Sequence, residues 1–142
     1  QAAAMGEGFG DYFAASFFAA MKRAALRPLL MSWDSIGDTD HRPPYLRRVD
    51  LPLTFESFDH GPEADEHDNG RIWSATLWDV RTAVGRDVAD RIIIDSHFQL
   101  DGFTTFARGA RAVLDADRNL YRGRHVPRLR KIFQARGRGP VA

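Results

Sequence analysis

Apolar positions recur at helical spacing along most of this chain. Phe9, Phe13, Phe17 and Met21 repeat every four residues, widened by Ala14 and Phe18, and predict a helix over about Ala2 to Leu26 with the phenylalanine stripe inward. Pro28 closes it. Gly6, Gly8 and Gly10 are costly in such a helix, each about 1 kcal/mol worse than alanine, which points to close packing against another segment, a crowded site or an irregular first turn. Ile72, Trp73, Thr76, Leu77, Val80 and Val84 predict a second helix from about Gly70, with Gly85 as its stop. Val88, Ala89, Ile92 and Ile93 open another helix or continue the same one after a break. Phe103, Phe106, Ala107, Ala110, Val113 and Leu114 form the next, capped by Asp101 or Thr104. The last starts at Pro127, which suits a first helical position, and runs through Leu129, Ile132 and Phe133 to Gly137.

Residues 32 to 69 break the period. They hold Pro43, Pro44, Pro52 and Pro62 with turn formers such as Ser35, Gly37 and Asp38, and only Leu51, Leu53 and Phe55 alternate as a strand would. Irregular segments of this length inside a compact domain tend to be functional or disordered. The fold expected is mainly α, one helical domain over residues 1–142 with a single long excursion at about 32–69.

Composition narrows the function classes. The 142 residues are 44% hydrophobic and 27% charged, ordinary globular values that exclude collagen-like and disulfide-scaffold chains. The absence of cysteine removes thiolate nucleophiles and Cys-type zinc sites. No apolar run is long enough to span a membrane. The opening Gln1-Ala-Ala-Ala-Met5 is not a signal peptide and reads as the interior of a longer chain. A net charge of +1 conceals segregation. Seven acids and no Lys or Arg lie between Asp50 and Asp68, whereas ten basic residues face only Asp115 and Asp117 from Arg108 onward. Only Tyr121 and Phe133 interleave with that basic end, too few stacking platforms for single-stranded nucleic acid, and no nucleic-acid partner is expected.

Candidate chemistry concentrates near the start. Gly6-Glu7-Gly8-Phe9-Gly10-Asp11 is not a dinucleotide loop, because Asp11 stands where a glycine is needed and no strand precedes it. Glu7 and Asp11, four residues apart, share one helix face, where a cation would relieve their repulsion. His41, His60, His67, His97 and His125 form no H-x-x-x-H pair, so no helix chelates a metal unaided. His67, between Asp65 and Asp68 and just ahead of the helix at Gly70, is the electrophilic stabiliser candidate.

Met5-Gly-Glu-Gly-Phe-Gly-Asp-Tyr-Phe-Ala14 resembles the third-ligand motif of the fungalysin family of zinc metallopeptidases, distant relatives of thermolysin. His67-Asp-Asn-Gly-Arg-Ile-Trp73 is similar to the family's later His-x-x-Gly-x-x-Trp segment. Leu46-Arg47 resembles its substrate-contacting Leu/Ile-Arg pair, with Arg48 as a rival. Ala107-Arg108 with Ala112 to Asp117, and Phe133 to Gly139, resemble two further family runs in the right order. The resemblance implies the helical C-terminal lobe of a thermolysin-like metallopeptidase, secreted, acting on peptide or protein substrates. It implies zinc bound by Glu7, a ligand histidine supported by Asp11, an oxyanion stabilised by His67 and substrate held by Arg47. The family's His-Glu-x-x-His, source of two zinc ligands and the general base, is absent. This chain is therefore expected to be inactive alone and to need an N-terminal half as partner. The alternative is a non-catalytic helical protein-interaction module derived from the same fold.

Overall fold

The computed structural model describes residues 1–37 and 39–137. Five α-helices dominate it: α1 (Ala2–Phe18), α2 (Glu66–Val84), α3 (Arg86–His97), α4 (Phe106–Tyr121) and α5 (Val126–Ala135). The mainly helical expectation holds, and the inward positions of α2 to α5 follow the predicted period. Ile72, Trp73, Leu77 and Val80 of α2 are buried with Ala89, Ile92 and Ile93 of α3. Phe106, Ala110, Val113 and Leu114 of α4 and Leu129 and Phe133 of α5 complete the same core cluster. Trp73 lies in its middle, stacked between Phe106 and Phe133 at centroid distances of 5.8 and 6.4 Å.

The boundaries shift where local chemistry outweighs periodicity. α2 begins at Glu66, four residues earlier than its apolar pattern, because the Asp65 carboxylate accepts from the backbone N–H groups of His67 and Asp68. His67 therefore stands in the first turn of a helix and not in the loop ahead of it. A positive φ of 87° at Gly85 ends α2 and separates it from α3. α4 is capped by Thr105 in place of Asp101 or Thr104, which leaves Phe103 outside the helix and 90% exposed. No strand forms at Leu51 to Phe55; a 3-10 turn at Phe55–Ser57 stands there instead.

The first helix departs most from expectation. It ends at Phe18 and passes into two 3-10 turns, Ala19–Met21 and Ala24–Leu26. Its buried face is Ala4, Met5, Gly8, Asp11, Tyr12, Ala15 and Ser16, while Phe17 and Met21 are exposed. Phe9 and Phe13 stay partly buried against the core, and close backbone approach explains why the small residues face α2. A methyl group added at Gly8 would meet the Gly70 carbonyl oxygen at 2.3 Å, and one at Gly70 would meet the Ala4 oxygen at 2.8 Å. Small residues let α1 lie against α2, and a phenylalanine face would hold the helices apart. Gly6 and Gly10 have nothing within 4 Å of such a methyl, so this contact accounts for one of the three glycines.

Two features tie the irregular excursion down. β1 (Leu29–Leu30) pairs antiparallel with β2 (Arg47–Arg48), Leu29 opposite Arg48 and Leu30 opposite Arg47. Beyond α5, the buried Arg136 guanidinium donates to the carbonyls of Leu51 and Leu53 at 2.7 and 2.6 Å and pairs with Asp79. The Arg136 carbonyl in turn accepts from Phe55 N–H at 2.8 Å.

Candidate functional site

The residues singled out by sequence come together from three parts of the chain. α1 presents Glu7 and Asp11, its only charged residues, one helical turn apart. α2 lies against α1 at Gly8 and Gly70, and this brings the first turn of α2 to Glu7. There His67 Nε2 is 3.2 Å from Glu7 Oε2. The β1–β2 pairing carries Arg47 across to α1, where its guanidinium forks onto Asp11. Nε donates to Oδ2 at 2.7 Å and Nη2 to Oδ1 at 2.8 Å.

Each side chain is held differently. Asp11 is buried and has both oxygens engaged by Arg47, a bidentate pairing that fixes both partners. That hydrogen bonding, reinforced by the nearby charges of Asp11, Glu7 and Asp65, raises the Arg47 guanidinium above its ordinary value. Arg48 faces away and pairs with Asp50 at 2.5 and 2.7 Å. Of the two candidate arginines, Arg47 is the one in the cluster.

His67 lies between two carboxylates. Its Nδ1 is 3.1 Å from Asp65 Oδ1, and its own backbone N–H donates to the same oxygen at 2.6 Å. This backbone hydrogen bond, first among several, holds the Asp65 carboxyl below the usual carboxylate range. A doubly protonated ring donates to Glu7 and Asp65 together; a neutral ring satisfies only one of them. The side chains of Glu7 and His67 remain 43% and 46% exposed, open to a molecule arriving from outside.

Asp65 is read from sequence only as a charged neighbour of His67, and its capping of α2 is missed. The signal was available in its type, since aspartate immediately before an amphipathic run is a strong N-cap. The period of the apolar residues placed the helix start later and obscured it.

The zinc reading meets a shortfall in donors. Among the described residues no three His, Asp or Glu side chains gather as a metal-holding group. Zinc sites take three protein ligands or more. Glu7 with His67 falls short of that, and Asp11 is already committed to Arg47. The described residues do not make a zinc site by themselves. No helix among them is long and apolar enough to cross a membrane.

No family model matches this chain, and no curated protein or solved structure matches it.

Proposed function

We propose that this chain is the C-terminal, helical half of a fungalysin-like zinc endopeptidase, inactive alone and completed by an N-terminal half. The observation that carries the reading is the meeting of Glu7, Asp11, Arg47 and His67. Glu7 and Asp11 come from one motif and share a face of α1, but no local signal required Arg47 or His67 to join them there.

Within this reading Glu7 is a metal-binding carboxylate awaiting ligands from the missing half. His67, aimed by Asp65, donates a hydrogen bond to the oxygen that gains charge when a peptide carbonyl is attacked. A donor so placed contributes about 3 kcal/mol to the transition state. Arg47 is oriented by Asp11 through Nε and Nη2, which leaves Nη1 to hold a substrate carbonyl. Asp11 thereby positions a substrate-binding arginine in addition to the histidine-supporting role that the resemblance implies.

Co-expression of this chain with the polypeptide encoded directly upstream tests the reading. Zinc-dependent cleavage of a peptide by the pair, absent from either part and lost on Glu7→Gln, is the expected result. An upstream sequence without His-Glu-x-x-His, or a pair that binds no zinc, would overturn it. The alternative, a non-catalytic interaction module, draws on Phe98 and Phe103, 86% and 90% exposed around the α3–α4 connection. A folded partner bound there, with no peptidase activity in the whole protein, is what that alternative requires.

A further inference from the structure

The turn between α4 and α5 and the first part of α5 form an open surface cavity of about 430 Å³, lined by Arg124, His125, Pro127, Arg128 and Lys131. None of these belongs to the Glu7–His67 cluster. Arg124, Arg128 and Lys131 follow one another at spacings of four and three residues, which places them along one side of the helix and its approach.

The arrangement is unfavourable by two independent rules. Arg128 and Lys131, three residues apart within α5, repel as like charges on one helix face. Cations also suit the C-terminal end of a helix, yet α5 has no acid in its first turn and no base in its last. The described residues supply no counter-charge. Arg124, Arg128 and Lys131 form no ion pair among the described residues, a condition they share with Arg111, Arg122 and Arg130. The aspartate closest to the cavity wall, Asp117, is fully buried and spent on His125. It accepts from the His125 N–H at 2.8 Å and lies 2.7 Å from Nδ1.

Two of the lining side chains are fixed in place. His125 is fastened through Nδ1, leaving Nε2 without a protein partner among the described residues. Arg128 donates from Nη1 to the Ala83 carbonyl at 2.6 Å, which anchors its guanidinium to the C-terminal turn of α2. The backbone offers little, since Pro127 has no N–H and those of Arg128 and Leu129 both donate to the His125 carbonyl. Recognition here falls to side chains.

We propose that this cavity is a binding site for a small ligand bearing a multiply charged phosphate group. A cavity of this volume is of small-molecule size. Forked guanidiniums suit tetrahedral phosphate oxygens, and four basic side chains suit a group carrying more than one negative charge. The ligand supplies the counter-charge that the described residues omit.

Titration of the whole chain with inorganic pyrophosphate, followed by calorimetry, tests the proposal. Saturable binding is expected, with Arg124→Gln and Lys131→Gln each weakening it about tenfold, the loss of one charge-assisted contact. Both residues are exposed, so circular dichroism of the variants should match the parent. Arg118→Gln, which removes a cation paired with Asp115 outside the cavity, should leave affinity unchanged. No saturation by about 5 mM pyrophosphate, or an equal loss in R118Q, would refute the site. Succinate binding as tightly as pyrophosphate would refute the ligand class. Mixed-sequence duplex DNA binding more tightly than pyrophosphate would turn the cavity into part of a diffuse polyanion surface and overturn the proposal.

Discussion

His67 reaches Glu7 across the α1–α2 contact, Nε2 to Oε2 at 3.2 Å, while its other ring nitrogen lies against the N-cap carboxylate of its own helix. One carboxylate aims the ring and the other is what it is aimed at. In the two-part peptidase proposed above, His67→Ala should lower kcat by about 10²- to 10³-fold and change KM little, the pattern of a donor used only in the transition state. Steady-state kinetics on the co-expressed pair decide this. A raised KM with kcat intact would make His67 a ground-state contact.

The glycines of α1 should separate by face. Gly8→Ala places a methyl 2.3 Å from the Gly70 carbonyl oxygen, and the overpacking should cost about 1–3 kcal/mol or more. Gly6→Ala meets open space within a helix and should stabilise the isolated chain by about 1 kcal/mol. Urea unfolding of both variants checks the signs. If an N-terminal half packs over the exposed side of α1, Gly6→Ala should also weaken its association, although it stabilises the chain alone.

Arg136 ties the excursion to α2 by satisfying the Leu51 and Leu53 carbonyls while paired with Asp79. Arg136→Met should destabilise the fold by about 2–4 kcal/mol, because two carbonyls lose their charged donor and Asp79 loses its partner. Arg136→Lys should recover only part of this, since a single ammonium cannot reproduce the guanidinium fork. Denaturant midpoints for the two variants measure the difference, and equal losses would remove fork geometry from the explanation.

His97 should make stability depend on mildly acidic pH. Its ring packs on Phe9 at a centroid distance of 3.6 Å, and Nδ1 donates to the Ile93 carbonyl at 2.8 Å. Burial holds its pKa below the usual histidine value despite that hydrogen bond. The unfolded ring takes up a proton more readily than the folded one. The stability from the neutral buried ring is therefore fully present above about pH 6.5 and is lost as pH falls through that value toward the lower folded one. His97→Leu should reduce the fall in denaturant midpoint between pH 7.5 and 5.5. An unchanged fall would assign the pH dependence to other groups.

Much of the scaffold was legible in the sequence. Helices α3 to α5 each carry a polar face and an apolar stripe, so the period both identifies the element and orients it, whereas α2 is buried on every side from Ile72 to Leu77. Pro127 at the start of α5 and Gly85 between α2 and α3 needed no tertiary information. Glu7 and Asp11 had to share a face once α1 was helical. Caps were less legible, because Asp65 and Thr105 begin helices at residues that the apolar period does not include.

Tertiary structure alone decided the rest. α1 has only Glu7 and Asp11 as charged residues, so no polar side marks the outward face, and two competing stripes were available. The short distance at Gly8 and Gly70 selected the small-residue stripe and left Phe17 and Met21 outside. Arg47 belongs to a two-residue strand whose pairing with Leu30 carries no local signature, yet that pairing delivers it to Asp11. Arg136 reaches Leu51 and Leu53 across a much wider gap in sequence. Periodicity reports which side of an element is apolar, because that is a property of neighbours in sequence. Which elements meet, and at which residues, depends on backbone distance and long-range pairing, and the candidate site is made of those meetings.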